Sequence, residues 1–166
     1  EHNRLESVYS LENESLNKSI STLIFPNSNL VSKPNFEKIQ SDNFDGIKFS
    51  VNSNTDYIIS TKKKSVEVDT FSASGDFIWC RKKSDNINSF FVEHGTNFSH
   101  KNFGFESDSP VTIYVKDSKG VIISKGAKLK LNGSNFSSTS FDSTVKVLSQ
   151  SENHIEVELG SGTFKF

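Results

Sequence analysis

The sequence predicts an all-β fold, an antiparallel β-sandwich or pair of stacked sheets made from roughly a dozen short strands. Three observations predict it. The hydrophobic period is close to 2 along most of the chain, turn residues recur at short intervals, and no stretch of ten or more residues sustains helical spacing. At 166 residues the chain suits a single domain spanning residues 1–166. A chain of that size buries about 70% of the surface its unfolded form exposes. Fifteen phenylalanines supply large apolar side chains for a core.

The strands follow in order. Residues 65–69 (SVEVD), 127–131 (AKLKL) and 154–159 (HIEVEL) alternate cleanly. Alternation places apolar groups on one face and charges on the other, the mark of a half-buried antiparallel sheet. Residues 21–25 (STLIF), 57–59 (YII), 77–80 (FIWC), 90–92 (FFV), 111–115 (VTIYV) and 121–123 (VII) are more continuously apolar and suit central strands covered on both faces. Asp45-Gly46, residues 74–76 (SGD), 116–120 (KDSKG), Asn132-Gly133 and residues 160–162 (GSG) read as turns between strands. Residues 117–120 in particular read as a tight hairpin linking residues 111–115 to 121–124. Residues 35–40, after Pro34, are the one segment short enough and suitably placed for a helical turn. Residues 1–19 are more polar and less periodic, and read as a loosely ordered lead-in.

Charge and composition exclude several function classes. The formal net charge is -1, without the basic stripe of a nucleic-acid binder. No apolar run is long enough for a membrane-spanning helix. Cys80 is the one cysteine, so no internal disulfide forms. Methionine is absent even at position 1, which reads as a fragment of a longer or processed protein. No signal-peptide pattern is present, and in a fragment that bears on neither side of a secretion argument.

Motifs for chemistry are sparse. There is no G-x-S-x-G elbow, P-loop, G-x-G-x-x-G or H-E-x-x-H, so no catalytic residue, metal ligand set or cofactor is assigned. Glu93, His94 and His100 lie within residues 92–100 (VEHGTNFSH), where a strand–turn–strand would gather them into a small metal or acid–base site. Solvated loop-tip side chains are the plainer reading. Lys62, Lys63 and Lys64 form one basic cluster, and Arg81, Lys82 and Lys83 another. If their strands pair, the two make a cationic patch for an acidic polysaccharide. Edge-strand protection is the plainer alternative. Trp79, Tyr9, Tyr57 and Tyr114 are candidates for a sugar-stacking platform, but Trp79 shares a strand face with Phe77, which favours core packing.

Five segments in order carry a family resemblance: residues 21–26 (STLIFP), 54–59 (NTDYII), 75–81 (GDFIWCR), 89–98 (SFFVEHGTNF) and 105–111 (FESDSPV). Over about residues 5–115 this resembles the C-terminal β-rich part of heparinase II/III-type polysaccharide lyases and their alginate-lyase relatives. The resemblance implies a two-part enzyme, secreted or periplasmic, that cleaves uronate-containing polysaccharides by β-elimination. The catalytic groups would belong to a missing N-terminal catalytic domain, so this chain would serve as its non-catalytic β-sandwich support. Its implied partners are that domain and, through it, an acidic polysaccharide. A free-standing carbohydrate-binding or adhesin-type module is the alternative, and would present an exposed aromatic row. A structural domain of a surface or virion assembly is a third.

Overall fold

A computed structural model describes residues 8–10, 22–24, 35–68, 70–136 and 139–166. The chain divides into two compact units, Glu1–Lys33 and Pro34–Phe166. In the first, β1 (Val8–Ser10) and β2 (Thr22–Ile24) pair antiparallel. The sequence expectation of a loose lead-in over residues 1–19 otherwise falls outside the described residues.

The second unit is one continuous antiparallel sheet of eleven strands, and the all-β expectation holds. In chain order these are β3 (Asn35–Gln40), β4 (Phe44–Val51), β5 (Asn54–Thr61), β6 (Ser65–Val68), β7 (Phe71–Ser74), β8 (Phe77–Lys83) and β9 (Asn86–His100). β10 (Phe103–Lys116), β11 (Lys119–Asn132), β12 (Lys146–Gln150) and β13 (His154–Lys165) follow, with one 3-10 turn at Ser134–Phe136. Among the described residues no helix is long and apolar enough to cross a membrane.

The sheet folds over on itself. Phe90 and Phe98 belong to the same strand, eight residues apart, yet their rings stack with centroids 4.3 Å apart. Eight extended residues would span about 26 Å, so β9 must double back between them. The bend lies at His94-Gly95. There His94 adopts a left-handed φ of 49°, and the register slips so that Val111 opposes Gly95 while Ile113 opposes Val92. That is a β-bulge, the device that turns a strand through a corner. The neighbouring long strands turn at the same level. β10 loses register between Ser107 and Thr112, around Pro110, and β11 has Gly126 at φ 111° opposite the Gly160 region of β13.

Two layers result. Layer A runs β3-β4-β5-β8 and continues through the first half of β9, the second half of β10, the first half of β11 and the end of β13. Layer B runs β6-β7 and continues through the remaining halves of β9, β10, β11 and β13 to β12. Strands that switch layers through bulges are the usual corner of a two-layer sandwich. The core lies between: Tyr57, Ile78, Phe90 and Ile113 from layer A face Phe71, Phe98, Phe105 and Leu129 from layer B.

Several local expectations are corrected. Residues 35–40 are not a helical turn but strand β3, because every residue from Asn35 to Gln40 finds a partner on β4. Asp45-Gly46 is not a turn. It lies inside β4, where a Cβ on Gly46 would stand 2.7 Å from the Ile58 carbonyl oxygen, so the glycine permits close strand approach. Residues 160–162 do not separate two strands; they are the bend within β13.

The corner dictates a stability prediction. Phe90→Ala empties the centre of the ring stack and should cost about 3–5 kcal/mol in urea unfolding. Gly95→Ala, whose Cβ would stand 2.0 Å from the Ser74 carbonyl oxygen, should also destabilise the fold. A near-neutral result for both would contradict the folded-over sheet.

Candidate functional site

The outer face of layer A carries an apolar row across six neighbouring strands. Ile47 on β4 opposes Ile58 on β5, which opposes Trp79 on β8, then Phe91 on β9, Tyr114 on β10 and Val121 on β11. Their chain neighbours, including Tyr57, Ile59, Ile78, Cys80, Phe90, Ile113 and Ile122, fill the core, so alternation directs this row outward. The expectation that Trp79 packs in the core is therefore corrected. Phe77 and Trp79 do share a face, as read from sequence, but it is the outer one. Tyr57 is buried, and the side chain of Tyr9 lies outside the described residues.

Trp79 and Tyr114 lean together across the intervening Phe91, their rings stacked at 6.5 Å. Tyr114 is 39% exposed. The Arg81 guanidinium lies over the Trp79 ring, 5.6 Å from its centroid, in cation–π geometry. What holds it there is Asp56, directly opposite on β5 and only 3% exposed. Arg81 Nε donates to Asp56 Oδ1 at 2.7 Å and Nη2 to Oδ2 at 2.6 Å, a two-pronged pair. The hydrogen bond to Asp56 raises the Arg81 pKa above its ordinary value, outweighing burial, which lowers it. On the reverse side of β8, burial first and the Asp56 charge second push the Cys80 thiol far above its usual range.

The sequence-derived site residues are distributed differently from expectation. β5 and β8 do pair, but antiparallel, with Ser60 opposite Phe77 and Asn54 opposite Lys83. Lys62, Lys63 and Lys64 therefore follow one end of the pair while Arg81, Lys82 and Lys83 occupy the other, and no joint patch forms. Lys62 is paired with Asp45 at 2.8 Å and Lys82 with Asp85 at 3.7 Å. Lys63 and Lys83 are exposed.

His94 and His100 are not gathered into one site either. The bulge leaves His94 exposed, with Nδ1 3.2 Å from Asp76 Oδ2, and Lys64 reaches the other oxygen of that carboxylate at 3.5 Å. Glu93 lies alongside on the outer face, opposite Phe77. His100, 5% exposed, is held by Thr70 O at Nδ1 and by Asp85 O, 3.2 Å from Nε2, so it ties two turns together. Among the described residues no group of three or more His, Cys, Asp or Glu is placed to hold a metal ion.

Sequence reasoning missed Asp56 as the anchor of Arg81. The signal was faint: an acid inside an apolar run, NTDYII, whose partner depends on strand register. No family model, curated protein or solved structure matches this chain.

Two outcomes follow. Arg81→Ala strands the buried Asp56 carboxylate and should lower stability by roughly 1–3 kcal/mol, with Arg81→Lys recovering only part. The Cys80 thiol should resist thiol reagents in the native state. Its folded pKa is raised, so its contribution to stability is present below the unfolded thiol's value of about 8.5 and is lost as pH climbs past it. Denaturation midpoints measured on either side of that pH, for the wild type and Cys80→Ala, check the sign.

Proposed function

We propose that this chain is a non-catalytic β-sandwich module that binds a polysaccharide across the outer face of layer A. The observation that carries this reading is the Trp79–Tyr114 pair, two stacked rings outside a core already filled with phenylalanine. The C–H faces of a pyranose are apolar and slightly positive, which matches the negative face of an aromatic ring. Arg81 adds a guanidinium fixed by Asp56, so its hydrogen-bonding edge is positioned before any ligand arrives. Ring faces beside a fixed guanidinium are groups that suit recognition of a sugar.

A second reading comes from the resemblance to heparinase II/III-type lyases. In it the module stands beside the catalytic domains of a secreted or periplasmic enzyme acting on uronate-containing polysaccharides. What favours it is the continuation of the row through half-buried Ile47 and Ile58, apolar side chains that a neighbouring domain would cover.

Trp79 is the chain's only tryptophan, so its fluorescence reports directly on this face. Titration with heparan sulfate, hyaluronan, alginate and neutral glucans should shift the emission for at least one of them. Trp79→Ala should abolish the binding seen by calorimetry while keeping the fold. Incubation of the chain alone should release no unsaturated product detectable by ultraviolet absorbance. Silence from every polysaccharide would sink the binding role, and product from the chain alone would sink both readings.

A further inference from the structure

The β10–β11 hairpin continues the outer face of layer A beyond Tyr114. A shallow, open depression of about 590 Å3 lies there, lined by Tyr114, Lys116, Lys119, Gly120, Val121 and Lys165 among others. Register fixes which way these side chains point. Lys116 is two residues beyond the outward Tyr114 on β10, and Lys119 opposes Lys116 across the turn. Lys165 opposes Val121, the partner of Tyr114. Three ammonium groups therefore share one face with one exposed phenol.

These lysines, Lys116, Lys119 and Lys165, make no ion pair among the described residues. The one acid among the described lining residues, Asp117, accepts from Asn88 Nδ2 at 3.4 Å through Oδ1, so three ammonium groups share the depression with a single carboxylate and it keeps a positive balance. Lys116 and Lys119 stand directly opposite one another, and like charges in that position destabilise a strand pair. Protection of a sheet edge explains lysines on edge strands. It accounts for Lys165, at the margin of layer A, but not for Lys116, which is paired on both sides, with Ser89 and with Lys119.

We propose that this depression is an anion subsite that takes the carboxylate or sulfate of an acidic sugar while Tyr114 packs against the sugar ring. The inference rests on the polysaccharide-binding reading and narrows it to acidic glycans. A bound anion relieves the Lys116–Lys119 repulsion, and Tyr114 joins this charged end of the face to the Trp79–Arg81 end. The carboxylate and the sulfate offer the same chemistry to three ammonium groups, and the test separates them.

The test is calorimetry on the whole chain with three hexasaccharides: oligogalacturonate for carboxylate, a heparin fragment for sulfate, and cellohexaose as the neutral control. A single-stranded oligothymidylate is the fourth probe. At least one acidic sugar should bind, more weakly as salt is added, and cellohexaose should bind at least about tenfold less tightly. Lys116→Glu/Lys119→Glu, an exposed pair whose fold is checked by circular dichroism, should lower acidic-sugar affinity by about tenfold or more. Trp79→Ala reports on the broader reading. If cellohexaose binds as well as the acids, and binding depends on Trp79 but not on the lysines, the anion subsite is wrong and the binding role stands. If no saccharide binds the wild type, both fall. Tighter binding of the oligothymidylate than of either acidic sugar would overturn the assignment in favour of a nucleic-acid face.

Discussion

The stacking of Phe90 on Phe98 is the constraint from which the rest of the structure follows. Both rings belong to β9, and they meet only because the strand turns back at His94-Gly95. The turn needs a residue that accepts a left-handed backbone, a role histidine fills more readily than most. It also needs a glycine, because the Ser74 carbonyl occupies the space where a Cβ would project. Once β9 bends, β10 and β11 must bend with it or lose their hydrogen bonds, and β13 must follow β11. Thus a local backbone event in one strand converts a wide sheet into a sandwich. Fully buried phenylalanines from both layers then fill the gap between them.

The same bend separates inward from outward positions along layer A, which links folding to the face proposed to bind a ligand. Alternation is fixed once Phe90, Val92, Ile113 and Val115 are committed to the core. Phe91 and Tyr114 then have nowhere to go but the outer face, and register delivers Trp79 beside them. Asp56 is the costly element on that face. A carboxylate so deeply covered is tolerable only while Arg81 grips both of its oxygens. The pair contributes geometry more than net stability: it holds a guanidinium over an indole and leaves roughly half of the arginine side chain exposed.

Much of the fold was legible from period alone, and the reasons for the exceptions are physical. Residues 65–68, 127–131 and 154–159 alternate because one face is buried and the other wet, and each is a strand. The hairpin at Lys116–Lys119 was legible from its turn chemistry. Gly46 and residues 160–162 misled because glycine serves close packing and bends as well as turns, and only a three-dimensional neighbour distinguishes these uses. Trp79 misled for a related reason. A strand with apolar residues on both faces does not declare which face meets the core, since Phe77 and Trp79 look as apolar as Ile78 and Cys80. The charged clusters failed where register mattered: Arg81–Lys83 close β8 while Lys62–Lys64 follow the end of β5, and antiparallel pairing sends the two to opposite ends. Lys165 meets Tyr114's neighbour only through a β11–β13 pairing that no local pattern encodes.

An outward row of Trp, Phe and Tyr works against solubility, and the residues around it show how that cost is contained. Trp79 is roofed by Arg81, Phe91 is flanked by Trp79 and Tyr114, and the row ends in Lys38 at one margin and Lys165 at the other. Charged margins discourage sheet-to-sheet association and leave Tyr114 exposed. A face that served only to seal against another apolar surface would gain little from a fixed guanidinium or from three lysines gathered beside a single carboxylate among the described residues. A ligand that is amphipathic in the complementary sense, with apolar ring faces and anionic edges, uses every one of these features. The proposed ligand, an acidic polysaccharide, has that character along its whole length, which suits a face that crosses six strands.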